Sequence, residues 1–175
     1  YPGMPAFPSI GNPDFLAVAS DAFLTATVRG GRPGRRMPAW GEKDGGLRPD
    51  EIAQVVAHVR QLGGGVKPPD DRKPRRWVEG DPKEGALLFG AYCASCHGPK
   101  GEGKEGPALN NKVLLANATD TYLVETIRRG RRGTEMEGFA NPSTVRPALA
   151  GTELESIWTP LRTWEGGQGV RGSSV

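Results

Sequence analysis

The run Cys93-Ala94-Ser95-Cys96-His97 constrains this chain more than any other feature. Two thiols separated by two residues sit about one helical turn apart. They can therefore reach two points on one edge of a single planar group. The histidine behind the second thiol then falls under the face of that group. A closed zinc site needs about four ligands, and the chain offers only these three residues and the distant His58. A redox dithiol sits in the strand-to-helix turn of a βαβ unit, and no strand pattern surrounds this run. The favoured reading is covalent attachment of haem c, with thioethers from Cys93 and Cys96 and iron ligation by His97.

Composition fits a small fold completed by such a group. Only 36% of the residues are hydrophobic, while Gly and Pro together make 42 of 175. A core this lean needs a staple, and a buried porphyrin would supply the missing apolar volume. The net charge of +3 divides as +1 over residues 1–62, +2 over 63–80 and 0 over 81–175. That is no basic stripe for nucleic acid, and no small-molecule substrate is expected. No apolar run reaches membrane-spanning length. The haem would use both cysteines, so no disulfide is expected.

The chain repeats itself. At an offset of 99, residues 21–29 lie on 120–128, Gly31 on Gly130, Arg32 on Arg131, Gly34 on Gly133, Met37 on Met136 and Trp40 on Phe139. Upstream, Pro8 meets Pro107, Ile10 meets Leu109 and Asn12 meets Asn111. Beyond the methionines the offset becomes 102, and Ile52, Val55, Val56 and Val59 meet Leu154, Ile157, Trp158 and Leu161. A three-residue insertion in the second copy accounts for the change.

Three helices are predicted in the second copy. The first is capped by Asp81, with Pro82 at its first position and Glu84 completing a capping box. It carries Gly85, Leu88, Phe89 and Tyr92 on one face and runs into Cys93. The next runs from near Thr119-Asp120 to Gly130. The last starts near Thr152 and aligns Leu154, Ile157, Trp158 and Leu161. Pro107 to Ala118 reads as loop. The first copy shows only the latter two helices, near Asp21–Arg29 and Asp50–Leu62. Residues 63–80, rich in Gly, Pro and charge, read as a solvated linker whose Lys67, Arg72, Lys73, Arg75 and Arg76 are a candidate docking patch.

Residues 81–165 resemble a class I cytochrome c domain. The residues that carry the likeness are the amino-terminal helix, CxxCH, Gly106-Pro107-Ala108-Leu109, the middle helix, Met136 after a Gly-Thr turn, and the last helix. Residues 1–62 resemble the same fold from just after CxxCH onward. The expected architecture is all-α: two tandem helical domains around covalent haem, the first incomplete at its N-terminus. The expected domains are 1–62, a linker 63–80, a complete domain 81–165 and a flexible tail 166–175. The resemblance implies that Pro107 accepts a hydrogen bond from His97 and that Met136 is the sixth iron ligand. Arg128 and Arg131 are candidates for the haem propionates. Glu137 stands where the family pattern has a proline.

A counterpart of Cys93 would fall six residues before position 0, so Met37 is a candidate ligand for a second haem whose CxxCH lies outside this chain. The preferred expectation is a longer natural protein; the rival is a haem-free first copy. His58 reads as an edge histidine. With iron held by histidine and methionine, the expected role is single-electron transfer. It would act as a free carrier or as a subunit of a respiratory or dehydrogenase complex, with redox proteins as partners, at the periplasmic face of the cytoplasmic membrane. The alternatives are a haem enzyme or gas sensor with an open iron position, and a docking module of a larger redox complex.

Overall fold

The computed structural model describes residues 9–70 and 72–165. Pro8 and the expected tail 166–175 lie outside them. Among the described residues the regular elements are helical: α1 (Pro13–Val18), α2 (Asp21–Gly30), α3 (Pro49–Leu62), α4 (Pro82–Tyr92), α5 (Ala94–His97), α6 (Lys112–Asn117), α7 (Asp120–Arg129) and α8 (Gly151–Arg162), with a 3-10 turn at Thr163–Glu165. None of these helices is long and apolar enough to cross a membrane.

The helices start where local chemistry satisfies their free N–H groups. The Asp81 carboxylate accepts from the N–H groups of Lys83 and Glu84. The Thr119 hydroxyl accepts from Tyr122 N–H, and the Ser20 hydroxyl from Phe23 N–H. Helix α8 starts at Gly151, one residue before Thr152, as expected. Glu153 sets this start, because its carboxylate accepts the Ala150 N–H at 2.6 Å.

Two short helices, α1 and α6, stand where loop was expected. Each is opened by an asparagine: Asn12 Oδ1 accepts from Asp14 and Phe15, and Asn111 Oδ1 accepts from Val113 and Leu114. Six residues cannot hold a helix by propensity alone. Here burial adds to the caps, since Leu16 and Leu115 are both fully buried.

In the second half, α4 crosses α8 at close range. A Cβ on Gly85 would lie 1.7 Å from the Ser156 carbonyl oxygen, and one on Gly80 would lie 2.4 Å from Ser156 N. Glycine at 85 lets the two backbones touch. Phe89, Leu154, Ile157, Trp158 and Leu161 are buried in the core cluster.

In the first half, α3 packs against α2. Among the described residues no counterpart of α4 covers the apolar stripe of α3. Instead Ile52 and Val56 are buried, because α2 supplies an apolar neighbour. Only Val55 keeps substantial exposure, 39% against 1% for Ile157 at the matching place.

The halves pack on each other reciprocally: α1 meets α7, and α2 meets α6. The Phe23 and Tyr122 rings, 99 positions apart, face each other with centroids 4.4 Å apart. Asn12 Nδ2 donates to the Arg132 carbonyl at 3.0 Å, and Asn111 Nδ2 donates to the Pro33 carbonyl at 3.1 Å. Both members of each donor pair and each acceptor pair are again 99 positions apart. A contact that recurs with its ends exchanged is the mark of a two-fold relation.

The segment 63–80 is not wholly the solvated tether expected from its charge. Arg76 donates to the carbonyls of Ala118 and Leu115 and to the Glu165 carboxylate. The N–H groups of Trp77 and Val78 donate to Asp120. The buried carboxylate and the open carbonyls at the end of α6 draw this stretch onto the second half. Lys73 lies over the Trp77 ring at 3.5 Å, and Arg72 pairs with Asp70.

Candidate haem site

Helix α4 delivers Cys93 at its C-terminal cap, and α5 turns the chain once so that Cys96 and His97 follow. Cys93 is buried and Cys96 half-buried, and the two are free thiols. Burial, aided by the neighbouring Cys96, pushes the Cys93 thiol up to about 12, so it sits neutral in apolar surroundings. Among the described residues no group of three or more His, Cys, Asp or Glu side chains is arranged to hold a bare metal ion.

His97 is 8% exposed, with Nδ1 2.8 Å from the Pro107 carbonyl oxygen. A carbonyl only accepts, so Nδ1 carries the proton and Nε2 keeps its lone pair. The loop that brings Pro107 there is folded around the motif. Gly103 N–H donates to His97 O at 2.7 Å, and Gly106 N–H donates to Cys96 O at 2.9 Å. A Cβ on Gly106 would lie 2.9 Å from His97 Cε1, so the backbone grips the ring edge.

Met136 is half-buried and packs against the core cluster that contains Cys93, Phe89 and Phe139. Its loop begins at Gly130, whose φ is +68°. A side chain there would meet Met136 O at 2.4 Å. The loop closes when Arg131 N–H donates to Met136 O at 2.7 Å. The first half repeats this device: Gly31 has a φ of +60°, and Arg32 N–H donates to Met37 O at 2.8 Å.

Beyond each methionine the chain returns alike. Phe139 N–H donates to Ile127 O and Leu149 N–H to Phe139 O. Trp40 N–H likewise donates to Val28 O, and Leu47 N–H to Trp40 O.

Arg128 and Arg131 are the candidates for the haem propionates, and the structure shows the contacts each makes within the protein. Arg128 pairs with Glu125, one turn back on α7, at 3.2 Å. Arg131 donates to Gly130 O and to the Thr126 hydroxyl, and its guanidinium lies over the Phe15 ring. Its counterpart Arg32 donates to Gly31 O and Thr27 and lies over Phe23. His58 is exposed on α3.

The sequence reading passed over Arg146. Its side chain is 6% exposed, lies 3.9 Å over the Phe139 ring and donates to the carbonyls of Gly138, Asn141 and Pro147. It ties down the longer loop after Met136, and Glu137 lies 3.9 Å from it. A lone arginine in a Pro-rich stretch carries no periodic signal, so only the fold exposes its role.

The donor set fits the covalent haem it implies. Two unoxidised thiols lie one turn apart, an imidazole has its free nitrogen set by Pro107, and a thioether sulfur lies in the same apolar cluster. This is the chemistry of a c-type cytochrome, and the chain is one. Comparison with known proteins gives the same class. Residues 80–150 match the family described as Cytochrome C oxidase, cbb3-type, subunit III. The Cbb3-type cytochrome c oxidase subunit FixP of Bradyrhizobium sp. (strain ORS 278) is 34% identical over 156 residues, covering 82% of this chain and 50% of that protein. The subunit CcoP of Rhodobacter capsulatus is 27% identical over 125 residues, covering 70% of this chain and 39% of that protein. Cytochrome c-L of Methylorubrum extorquens (strain AM1) is 31% identical over 87 residues, covering 43% of this chain and 44% of that protein. The chain thus spans about half the length of the first of these relatives.

Proposed function

We propose that residues 81–165 carry single electrons through one haem c within a cbb3-type cytochrome c oxidase, the complex of which the FixP and CcoP relatives are named as subunits. In this reading Cys93 and Cys96 form the thioethers, and His97 and Met136 are the axial ligands. The observation that carries it is the 2.8 Å contact between His97 Nδ1 and Pro107 O beside two free thiols.

Bound haem would supply a reversible one-electron iron couple. The residues do the rest. Pro107 fixes the His97 tautomer and raises the basicity of the free nitrogen. The thioether of Met136 favours the reduced metal and raises the potential relative to a second histidine. With His97 and Met136 both holding the iron, no position would be left for oxygen or substrate, which argues for a carrier over a gas sensor or haem enzyme. Phe89, Leu109 and Phe139 keep the surroundings apolar. The working place would be the outer, periplasmic face of the membrane, where covalent haem is attached.

Residues 1–62 are read as a second, related copy, with Met37 at the place of Met136. The matched glycine turns, methionine-loop closures and exchanged asparagine contacts support this. Residues 1–62 contain no cysteine. Haem stoichiometry on the natural full-length protein decides whether Met37 serves a second haem.

The test of the electron-transfer reading is Met136→Ala. The parent should show the sulfur-to-iron band in the near red and ignore carbon monoxide. The variant should lose the band and bind carbon monoxide. A parent that binds carbon monoxide freely would favour the open-iron alternative and end this reading.

A further inference from the structure

Each methionine loop is held partly from outside, by the opposite half. The loop 130–136 has its own bonds: Thr134 N–H donates to Arg131 O, and Met136 N–H donates to the Thr134 hydroxyl. Neither touches Arg132, which stands at the loop's outer turn. Both backbone groups of Arg132 are taken by the first half. Its carbonyl accepts from Asn12 Nδ2 at 3.0 Å, and its N–H donates to Asp14 Oδ2 at 2.8 Å. The Arg132 guanidinium closes on the same carboxylate, Nε to Oδ1 at 3.1 Å and Nη2 to Oδ1 at 3.0 Å.

The holders are themselves fixed. Asn12 Oδ1 is spent capping α1, which turns its NH2 group outward to Arg132 and settles the amide orientation. The Asp14 side chain is only 14% exposed, and its hydrogen bond with Arg132 keeps its carboxyl below the usual carboxylate range.

We infer that Asn12 and Asp14 are positioning residues for Met136: they clamp the loop that presents its sulfur to the iron. The inference rests on the reading of Met136 as axial ligand. The clamp is lopsided. Asn111 repeats the amide contact on Pro33, but Val113 stands where Asp14 would be matched, and Pro33 has neither N–H nor charge. Two side chains of the other half therefore hold the loop of Met136, and one amide reaches that of Met37, whose own Arg35 donates to the Glu102 carbonyl. A sulfur ligand is retained only while its loop holds it near the metal, so loosening Arg132 raises the fraction of iron with an open position.

The experiment uses the full haem-loaded chain and three readouts: the near-red sulfur-to-iron band, the rate of carbon monoxide binding to the ferrous protein, and hydrogen exchange at Arg132 N–H. Asn12→Asp keeps an oxygen to cap α1 and sets a carboxylate oxygen against the Arg132 carbonyl in place of the donor; Asp14→Asn weakens the paired contact. Together they should weaken the band, and carbon monoxide binding should rise about tenfold or more, the scale of one lost charge-assisted hydrogen bond. Arg132→Ala, at an exposed side chain, reaches the same contact from the other end should the double variant fold poorly. Asn111→Asp should leave the Met136 band and the carbon monoxide rate at parental values. The inference is overturned if Arg132 N–H exchanges faster while band and rate stay parental, or if Asn111→Asp moves them as much. Failure of the underlying reading is seen separately: the parent lacks the band, or Met136→Ala retains it, and the clamp falls with it.

Discussion

Arg162 Nε donates to Asp120 Oδ1 at 2.9 Å, and the same guanidinium holds the Leu115 and Ala118 carbonyls at 3.1 and 3.2 Å. One side chain thus fastens the last helix to the end of α6 and the start of α7. Arg60 makes the matching set in the first half, with Asp21, Leu16 O and Ala19 O. The two sites differ in cover. Asp120 also accepts from Trp77 N, Val78 N and Trp158 Nε1, and its side chain is 3% exposed against 57% for Asp21.

Removing Asp120 leaves Arg162 with only Glu165 as counter-charge and orphans the N–H groups of Trp77, Val78 and Trp158. Asp120→Ala should therefore cost about 3–5 kcal/mol, while Asp21→Ala, which removes a carboxylate that is 57% exposed, should cost about 1 kcal/mol or less. Urea unfolding of the haem-loaded protein measures both. Equal losses would show that burial of the second pair does not matter.

Acid should act through the same carboxylate. Burial pushes the Asp120 carboxyl up, but the Val78 N–H, the Arg162 guanidinium and the Trp77 N–H together outweigh it and hold it below 3.8. A group depressed in the folded state stabilises fully above its unfolded value, and that contribution is lost as pH falls through the folded one. Stability should drop as pH falls below about 4, and Asp120→Asn should flatten part of that slope. An unchanged slope in the variant would assign acid sensitivity elsewhere.

Gly85→Ala places a methyl group against the Ser156 backbone, where no side chain can yield. The helices must part, at a cost of about 1–3 kcal/mol or more. The expected readouts are a lower melting temperature and poorer haem incorporation. Gly90→Ala on the same helix meets nothing within 4 Å and should raise the melting temperature slightly, because Ala favours the helix over Gly.

Gly130→Ala combines a left-handed backbone with a clash against Met136 O and Gly138 N. The near-red band should weaken or vanish, whereas Gly31→Ala, in the other methionine loop, should leave it. If the Gly130 variant keeps its band, the loop tolerates strain that the geometry says it cannot.

Much of the helical frame was legible from residues with local signals. Asp81, Pro82 and Thr119 mark helix starts, Gly130 marks a stop, and the apolar spacing from Leu154 to Leu161 marks a buried face. CxxCH announced its chemistry without any fold. What stayed hidden depends on distant partners. Helices α1 and α6 are too short to show a period and stand on caps and cross-half burial. Arg76 and Trp77 looked like part of a charged linker, because the carboxylate and carbonyls that bind them lie about 40 positions away. The stacking of Arg131 on Phe15 was hidden too, because Phe15 belongs to the other half.

The central claim is a porphyrin bound through sulfur to Cys93 and Cys96. Mass measurement of the denatured, acid-washed protein, followed by thiol alkylation, tests it most directly. The expected result is one haem retained on the peptide containing residues 93–97, with neither cysteine alkylated. A peptide at its bare mass that takes up two alkyl groups would contradict it.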